Sequence, residues 1–422
     1  MYIKPIKACR VCKSKNLIPI LSLGNQFVSN FIDSSESENQ YIRVPLELVL
    51  CDVNSGGCGL LQLRHTTPPE ILYKQYWYKS GISSIIRNDL SDIVRKVESL
   101  VDLKNEDIVV DIGCNDGTML RSYKNKNLTL VGFEPASNLV TEASVNTSKI
   151  INNFFNYNDF KKCFGTKKAK VVTAISMFYD LEDPNKFIED IVNTIDKNGI
   201  FVIQQNYLGS MIEQNAFDNI CHEHLEYYSL FSLENLLKRH NLEVFDVELN
   251  DINGGSFRTY IKFRSNSLIK PFEGAENRLK ELREGEKVIG LNDKKIYQEF
   301  ASRVNNIKNK LYNFIKNENA NGKKIYIYGA STRGNTTLQF CDIDHNLIVA
   351  AADKNPDKWG KKTIGTMIPI ISLEQYRNEK PDYLLILPWH LLEEIKKQEK
   401  TFIDSGGKFI VPLPNFKIIE DI

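Results

Sequence analysis

The order of hydrophobic and polar positions predicts strands that alternate with helices over most of the chain. Residues 108–112 are apolar except for Asp111, which is typical of a buried parallel strand, and a turn between Gly113 and Gly117 leads into a helix. The same order recurs at residues 325–335. Each unit predicts the start of a doubly wound α/β domain, where ligands bind at the carboxyl ends of the strands. Further strands are predicted at residues 128–133, 170–178, 200–204, 347–352, 383–387 and 409–412.

Two helical stretches flank the first group of strands. Apolar residues recur with helical spacing between residues 82 and 103 and lead into the first strand. Residues 273–319 are highly charged and mostly helical in pattern, with Gly285 and Gly290 as the expected breaks. We expect this second stretch to be a solvated helix that bridges two domains. A turn is expected at Asn198–Gly199.

Composition places the chain among ordinary globular proteins. Its 422 residues are 42% hydrophobic and 25% charged, and this length predicts two or three domains. The formal net charge of +1 gives no strong field to attract nucleic acid or an anionic membrane, so neither is expected as a partner. No signal peptide is recognisable, and no apolar run reaches the ~18 residues of a membrane span. Eight cysteines in a chain this long indicate reduced thiols and a cytoplasmic location.

Four of the cysteines form two pairs near the N-terminus. Cys9 and Cys12 have the C-x-x-C spacing, and Cys51 and Cys58 form a wider pair with glycines around its end. Four thiolates on two turns make a closed tetrahedral zinc site, which leaves no open position for catalysis. We therefore predict a structural zinc. Buried thiols without a metal are the alternative.

The turn after the first strand predicts a nucleotide-binding site. Its G-x-N-D-G spacing differs from G-x-G-x-x-G, and no Lys-Ser/Thr follows as in a P-loop. The next strand ends in an acid that is able to hold both hydroxyls of a ribose. An ordinary corner between a strand and a helix would show a similar pattern. D-I-G-x-N-D-G followed by G-F-E-P resembles S-adenosylmethionine (SAM)-dependent methyltransferases of the Rossmann-like class. From this resemblance we expect SAM to contact Asp111, Gly113, Asn115, Asp116, Gly117, Glu134, Pro135, Ser176 and Met177.

The segment CHEHLEYYS, residues 221–229, carries the densest candidate chemistry. Its two histidines are too close for the metalloprotease motif, which places them four residues apart on a helix. A histidine with a pKa near neutrality suits proton abstraction, and a neighbouring carboxylate is able to orient its ring. A structural histidine pair at a strand edge is the alternative.

Several motifs in the same order resemble the sugar C-methyltransferases, which act on nucleoside-diphosphate ketosugars. These are C-R-V-C-x-S near the N-terminus, Y-x-Y-x-S-G, the D/E-x-x-x-H-E-H-L segment and the second Rossmann-like unit. The resemblance implies that His224 removes a proton from the sugar carbon, with Glu223 and His222 beside it. It also implies that Tyr76 and Tyr78 reach into the active site; a packed aromatic turn is the alternative for them.

Candidate substrate residues follow the ends of predicted strands and glycine turns. Arg258 follows an N-G-G turn and is a candidate for binding an anion. The resemblance implies that the C-terminal domain helps to hold the sugar nucleotide. There, Arg333 is a candidate partner for the diphosphate, and Trp389 for stacking on the base. Surface loops and a purely structural C-terminal domain are the alternatives. The full candidate set is Gln205, Asn206, Asn253, Gly254, Arg258, Arg333, Asp353, Trp389 and His390.

Together these patterns predict an α/β protein of three domains. Residues 1–75 are expected to form a zinc-binding domain, 76–265 a SAM-binding methyltransferase domain, and 266–422 a second Rossmann-like domain for the sugar nucleotide. We expect a monomeric SAM-dependent C-methyltransferase that methylates C-3, next to the keto group of a nucleotide-linked 4-keto-deoxysugar. Two alternatives remain open: O-methylation of a sugar, and a non-catalytic nucleotide-binding module.

Overall fold

The computed structural model describes residues 3–73 and 78–421. Tyr76, one of the two tyrosines predicted to reach the active site, lies outside the described residues. The described chain forms three main sheets, two of them mainly parallel with helices packed on them. The predicted α/β class is therefore confirmed. None of the helices in these residues is long and apolar enough to cross a membrane.

The N-terminal region is built on an antiparallel sheet. Strands β1 and β3 pair along most of their length, and β4 pairs with β3. The sheet packs its leucines into the largest hydrophobic core, which it shares with the C-terminal region. Its elements are β1 (Leu17–Phe27), β2 (Phe31–Ile32), β3 (Arg43–Cys51), β4 (Leu61–Leu63) and α1 (Pro69–Tyr73).

The middle region contains a seven-stranded sheet in the order β11-β12-β9-β8-β5-β6-β7. Strand β5 lies in the interior, and the chain winds to one side of it and then to the other, so the sheet has a switch point beside β5. Its elements are α2 (Ser84–Leu100), β5 (Ile108–Ile112), α3 (Thr118–Arg121), β6 (Thr129–Phe133), α4 (Val140–Ala143), β7 (Lys149–Ile151), α5 (Tyr157–Phe164), β8 (Ala169–Ile175), α6 (Pro184–Thr194), β9 (Ile195–Asn206), α7 (Leu208–Glu213), β10 (Glu226–Tyr227), α8 (Leu230–Lys238), β11 (Leu242–Asn250) and β12 (Ser256–Phe263).

The C-terminal region repeats this winding in a six-stranded sheet, β16-β14-β13-β17-β18-β19. The strands from β16 to β18 are parallel, and β13 again lies beside the switch point. Its elements are α9 (Ala275–Ile289), α10 (Lys294–Ala320), β13 (Ile325–Tyr328), α11 (Thr332–Phe340), β14 (Ala350–Asp353), β15 (Lys362–Thr363), β16 (Ile370–Ser372), α12 (Leu373–Glu379), β17 (Tyr383–Ile386), α13 (Leu392–Gln398), α14 (Lys400–Asp404), β18 (Lys408–Val411) and β19 (Lys417–Ile419).

The charged stretch between the two Rossmann-like sheets differs from expectation in two respects. Gly290 ends α9 in the left-handed conformation, as predicted, but Gly285 lies inside that helix. Helix α10 is not solvated on all sides, because a stripe that includes Phe300, Val304 and Leu311 is buried in the shared core.

In the middle region, the turn expected at Asn198–Gly199 is also wrong, since both residues lie within β9.

Two short strands join the regions to one another. Strand β10, which follows the His-Glu-His segment, pairs with β4 of the N-terminal sheet, and β15 pairs with β2. Next to β10, the buried Arg10 donates to the Leu63 carbonyl at 2.5 Å, and its Nε lies 3.9 Å from Glu226. The predicted catalytic segment is therefore attached to the N-terminal sheet as well as to the middle one.

Candidate active site

The four paired cysteines converge at one point of the N-terminal region. Their sulfur atoms lie within 4.8 Å of one another, with 3.6 Å between Cys9 and Cys58 and 3.3 Å between Cys12 and Cys51. Gly57 permits this approach, because a Cβ there would lie 2.6 Å from the Cys51 sulfur. Four thiolates in this arrangement fit tetrahedral Zn²⁺ and leave it no open position. The metal they bind would be structural.

A large cavity lies where the three regions meet. Its volume is about 1520 Å³, and it is lined by connecting segments of the N-terminal region and by residues at the strand ends of both Rossmann-like sheets. A pocket for one drug-sized ligand typically measures ~300–1,000 Å³. The cavity therefore has room for two reactants side by side.

One end of the cavity lies over the turn after β5. Gly113 has a φ of +67°, and a Cβ there would lie 3.2 Å from the Met177 side chain, so a glycine is needed where the turn and Met177 line the cavity together. Glu134 is buried at the end of β6, where its two carboxylate oxygens accept hydrogen bonds from the backbone amides of Asn115 and Ala136, both at 2.8 Å. Burial raises the pKa of Glu134, and these amides act in the opposite direction. The acid is thus fixed in position and faces the cavity, as a ribose-binding carboxylate should.

The remaining residues predicted to bind SAM divide into two groups. Asp111, Asn115, Pro135, Ser176 and Met177 line the cavity; Asp116 and Gly117 do not. Asp116 instead accepts a hydrogen bond from the Gly81 amide at 2.7 Å. Asn115 accepts one from the Ser80 amide at 2.9 Å. The two side chains therefore hold the segment after Tyr78 over this end of the cavity.

Asp111 lies beneath the same turn and is almost fully buried. One of its oxygens accepts a hydrogen bond from the Thr173 hydroxyl at 2.6 Å. Burial raises the pKa of Asp111 to about 7, and the negative charge of Glu134 adds to this rise.

His224 lies on the wall between the two ends of the cavity. Its Nδ1 is 2.8 Å from the main-chain carbonyl oxygen of Asn219. A carbonyl oxygen only accepts hydrogen bonds, so Nδ1 carries the proton and Nε2 keeps its lone pair. Burial, together with the charge of Arg333, lowers the pKa of His224 to about 4. The ring is therefore neutral near pH 7, in the tautomer that a proton acceptor at Nε2 requires.

His222 and Glu223 are placed differently from each other. His222 points away from the cavity, and its Nε2 donates to the Val44 carbonyl at 3.0 Å. Glu223 lines the cavity, and burial raises its pKa to about 7. The expectation that a carboxylate orients the base is corrected, because a main-chain carbonyl makes that contact. Cys221, Glu223 and His224 form one compact cluster. The Cys221 sulfur, a carboxylate oxygen of Glu223 and a ring nitrogen of His224 lie within 4.8 Å of one another.

The other end of the cavity belongs to the C-terminal sheet. Asp353 at the end of β14 repeats the arrangement of Glu134, since its carboxylate accepts from the amides of Ala330 at 2.8 Å and Asn355 at 2.7 Å. Arg333, on the first turn of α11, also lines the cavity. Its guanidinium donates to the Asn253 carbonyl at 3.1 Å and to an aspartate in the middle region.

Two predicted substrate residues are held away from the cavity by their own partners. The side chain of Arg258 is only 2% exposed and forms ion pairs with Asp89, Asp92 and Glu248. Its predicted role as an anion site does not fit this placement. Trp389 is buried beneath the turn at Gly254 and does not line the cavity, so stacking on a base does not fit either.

Of the other predicted substrate residues, some line the cavity and some do not. Asn206 and Asn253 line it, whereas Gln205, Gly254 and His390 do not. The buried amide of Gln205 has no hydrogen-bond partner in the described part of the chain. Tyr78, the second tyrosine predicted to reach the active site, does line the cavity.

Three further residues belong to the site. The sequence placed Tyr179 just after a predicted strand, where a substrate is expected, whereas Asp218 and Asn219 were missed. Tyr179 lines the cavity and makes an edge contact with the His224 ring, with 4.4 Å between the ring centroids. Asp218 and Asn219 precede the histidines and surround the base. Asp218 occupies the first position of the D/E-x-x-x-H-E-H-L pattern, and this was the available signal.

Comparisons with known proteins agree with this arrangement. Three family models match successive parts of the chain: "Putative zinc binding domain" at residues 9–73, "Methyltransferase domain" at 85–247 and "C-methyltransferase C-terminal domain" at 251–414. The curated relative C-methyltransferase NovU from Streptomyces niveus is 30% identical over 428 residues, which cover 99% of this chain and 98% of the relative.

Two solved structures resemble part of the molecule. The plantazolicin methyltransferase BpumL in complex with SAH is 15% identical, with a TM-score of 0.33, and covers 42% of this chain and 82% of its own. A SAM-dependent methyltransferase from Clostridium acetobutylicum is 13% identical, with a TM-score of 0.34, and covers 42% and 92%. On the full-length relative and the three successive family models, the chain belongs to the C-methyltransferase family and is a SAM-dependent C-methyltransferase with a zinc-binding domain.

Proposed function

We propose that the protein methylates C-3, next to the keto group of a nucleotide-linked 4-keto-deoxysugar, and that His224 removes the proton from that carbon. The observation that carries this proposal is the tautomer of His224. The Asn219 carbonyl holds the proton on Nδ1, and Nε2 is left as a base on the wall of the shared cavity.

The reaction requires a substrate with an acidified C–H bond, because an ordinary sugar carbon is not a nucleophile. A neighbouring keto group supplies this acidity, since the electron pair of the broken C–H bond moves into an enolate. The proton goes to Nε2 of His224, and the enolate carbon then forms the new C–C bond. When bound, SAM would supply the methyl group by breaking its methyl–sulfur bond, whose electron pair would stay on the sulfur of SAH. Placement of both reactants in one cavity supplies much of the rate.

Glu223 is suited to stabilise the enolate. Its carboxyl lines the cavity beside His224, and its pKa of about 7 keeps a large fraction protonated at neutral pH. A protonated carboxyl is able to donate a hydrogen bond to the oxygen on which negative charge develops. In our proposal Glu223 therefore binds the keto oxygen, and His224 acts on the adjacent carbon.

The two ends of the cavity suit the two nucleotide-containing reactants. Glu134 and the Gly113 turn suit the adenosine of SAM. At the other end, the first turn of α11, Arg333 and Lys358 line the cavity together. Amides at a helix start and basic side chains favour a diphosphate. We propose that the sugar nucleotide binds at this end, with the sugar directed towards His224.

Proton exchange tests the base without methyl transfer. Enzyme, 4-ketosugar nucleotide and SAH in D₂O should introduce deuterium at the carbon next to the ketone, which NMR detects. His224→Asn should reduce exchange and turnover by about 10²–10⁴-fold. Glu223→Gln retains a hydrogen-bond donor and should lose less, and His222→Asn should lose least. Normal exchange in His224→Asn would refute the proposal, and an O-methylated product would exclude the enolate mechanism.

A further inference from the structure

A short turn of the middle region, Phe217–Asn219, connects the C-terminal region to the proposed base. Asp218 in this turn is only 4% exposed. One of its oxygens, Oδ2, accepts hydrogen bonds from Arg333 Nε at 3.1 Å and Nη2 at 2.6 Å, and from the Trp389 indole at 3.2 Å. Three donors of the C-terminal region thus converge on one carboxylate oxygen. The other oxygen, Oδ1, has no hydrogen-bond partner within residues 3–73 and 78–421.

The next residue of the turn holds the base itself. The Asn219 carbonyl accepts the hydrogen bond from His224 Nδ1 at 2.8 Å. The Asn219 side chain is fixed as well, because its Oδ1 accepts from the Asn206 amide at 2.6 Å. The Asn219 carbonyl sets the tautomer of His224. It therefore belongs to the residue that directly follows Asp218, the acceptor of the hydrogen bonds from the C-terminal region.

We propose that Asp218 is a positioning residue for methyl transfer. It ties the C-terminal region to the turn whose carbonyl fixes the direction and the tautomer of His224. This inference rests on the proposed role of His224 as the base. It also gives Trp389 a function that the sequence did not indicate: its indole holds Asp218 in place. The region proposed to bind the sugar nucleotide would in this way also set the geometry of the base.

Asp218 acts on the orientation of His224 and not on a reactant, because its carboxylate does not line the cavity. Loss of its side chain would remove the polar contacts between the turn and the C-terminal region, leaving the packing of Phe217 on Phe340, and would allow the Asn219 carbonyl to shift. A misplacement of about 1 Å in a catalytic arrangement costs on the order of 10²-fold in rate. SAH affinity would change little, because Asp218 bonds to the C-terminal region and not to the SAM end of the cavity. KM for the sugar nucleotide is expected to rise, because Arg333, the proposed diphosphate ligand, loses its ion-pair partner.

Two substitutions at Asp218 separate geometry from folding. Asp218→Ala removes the acceptor for all three donors. Asp218→Asn keeps it, since the amide oxygen takes the place of Oδ2 and the amide nitrogen replaces the unpartnered Oδ1. Asp246 offers a matched control, because it is also buried and accepts from Arg278 Nε at 2.9 Å and Nη2 at 2.7 Å, away from the cavity. Asp246→Ala should lower the melting temperature without changing the kinetics of the folded enzyme.

The measurements are kcat, KM for the sugar nucleotide, the dissociation constant of SAH, and deuterium exchange at the sugar carbon. For Asp218→Ala at saturating sugar nucleotide we expect kcat and exchange to fall together by about 10- to 100-fold, with SAH affinity unchanged. Asp218→Asn should recover most of the loss, and Asp246→Ala should show none.

Each contrary result has a distinct meaning. Wild-type kcat and exchange in Asp218→Ala, alongside loss of exchange in His224→Asn, would overturn the positioning role and leave the proposed function intact. A change confined to KM would also overturn it, because Asp218 would then act on substrate binding. Should Asp218→Ala not fold, Trp389→Phe, which removes one donor, must still lower exchange, and an unchanged rate would refute the inference. Normal exchange in His224→Asn would remove the proposed function itself.

Discussion

Glu134 provides the most direct test of the SAM end of the cavity. Each of its carboxylate oxygens accepts one backbone amide at 2.8 Å and is left with further lone pairs that face the cavity. Glu134→Gln replaces one carboxylate oxygen with an NH₂ group. This group is a hydrogen-bond donor, and it would face a backbone N–H that is also a donor. The variant therefore loses one acceptor that the adenosine ribose is expected to use.

The magnitude follows from the type of bond that is lost. A hydrogen bond to a charged group contributes about 1.5–3 kcal/mol, and 1.4 kcal/mol corresponds to tenfold in affinity. We expect the dissociation constant of SAH, measured by titration calorimetry, to rise roughly 10- to 150-fold in Glu134→Gln.

The second Rossmann-like unit supplies the matched control. Asp353 accepts two backbone amides in the same manner, at 2.8 and 2.7 Å, so Asp353→Asn should cost comparable stability. It should leave SAH affinity unchanged and raise KM for the sugar nucleotide. An SAH dissociation constant for Glu134→Gln within about threefold of wild type, below even one weak charged hydrogen bond, would contradict the assignment of SAM to this end. Equal losses of SAH affinity in both variants would indicate a general effect on folding.

Four further predictions concern the metal, stability and pH. The purified protein should contain one zinc per chain by metal analysis, and Cys58→Ser should unfold the N-terminal region in limited proteolysis. Burial raises the pKa of Asp111 from 3.8 to about 7, so the folded protein retains a proton that the unfolded chain loses, and stability should fall between those pH values. Asp111→Asn should abolish this fall in urea titrations, with a gain of up to roughly 4 kcal/mol above pH 7. Arg258→Met should lower the unfolding free energy by about 3 kcal/mol, because it leaves the largely buried Asp89 without its ion-pair partner, while KM stays unchanged. If a protonated Glu223 stabilises the enolate, kcat should decline as pH rises through about 7, and Glu223→Gln should lack this decline.

The central strands were predictable because their signals are local. Strands β5 and β13 match the predicted ranges 108–112 and 325–328, since each is an apolar run closed by a glycine. Strand β10 was not predicted. It has only two residues, and its existence depends on pairing with β4, which lies more than 160 residues earlier in the chain.

The same distinction separates the candidate site residues that line the cavity from those that do not. An acid at the end of a parallel strand reaches the ligand edge whatever the rest of the chain does, and Glu134 and Asp353 both line the cavity. Arg258 and Trp389 appeared available because they follow a turn and a strand. Their partners lie far away in sequence: the Arg258 guanidinium binds Asp89, and the Trp389 indole binds Asp218. A residue whose role depends on such contacts cannot be assigned from local pattern.

The choice of partner for His224 has a chemical consequence for the proposed mechanism. A carboxylate at Nδ1 would stabilise the imidazolium and raise the pKa of the ring. The Asn219 carbonyl is neutral, so it fixes the tautomer with a much smaller effect on basicity, and burial keeps the pKa near 4. The free enzyme therefore holds Nε2 unprotonated throughout the neutral range. Proton transfer from carbon becomes favourable only when the negative charge of the enolate develops beside the ring, which couples the strength of the base to the presence of a keto substrate.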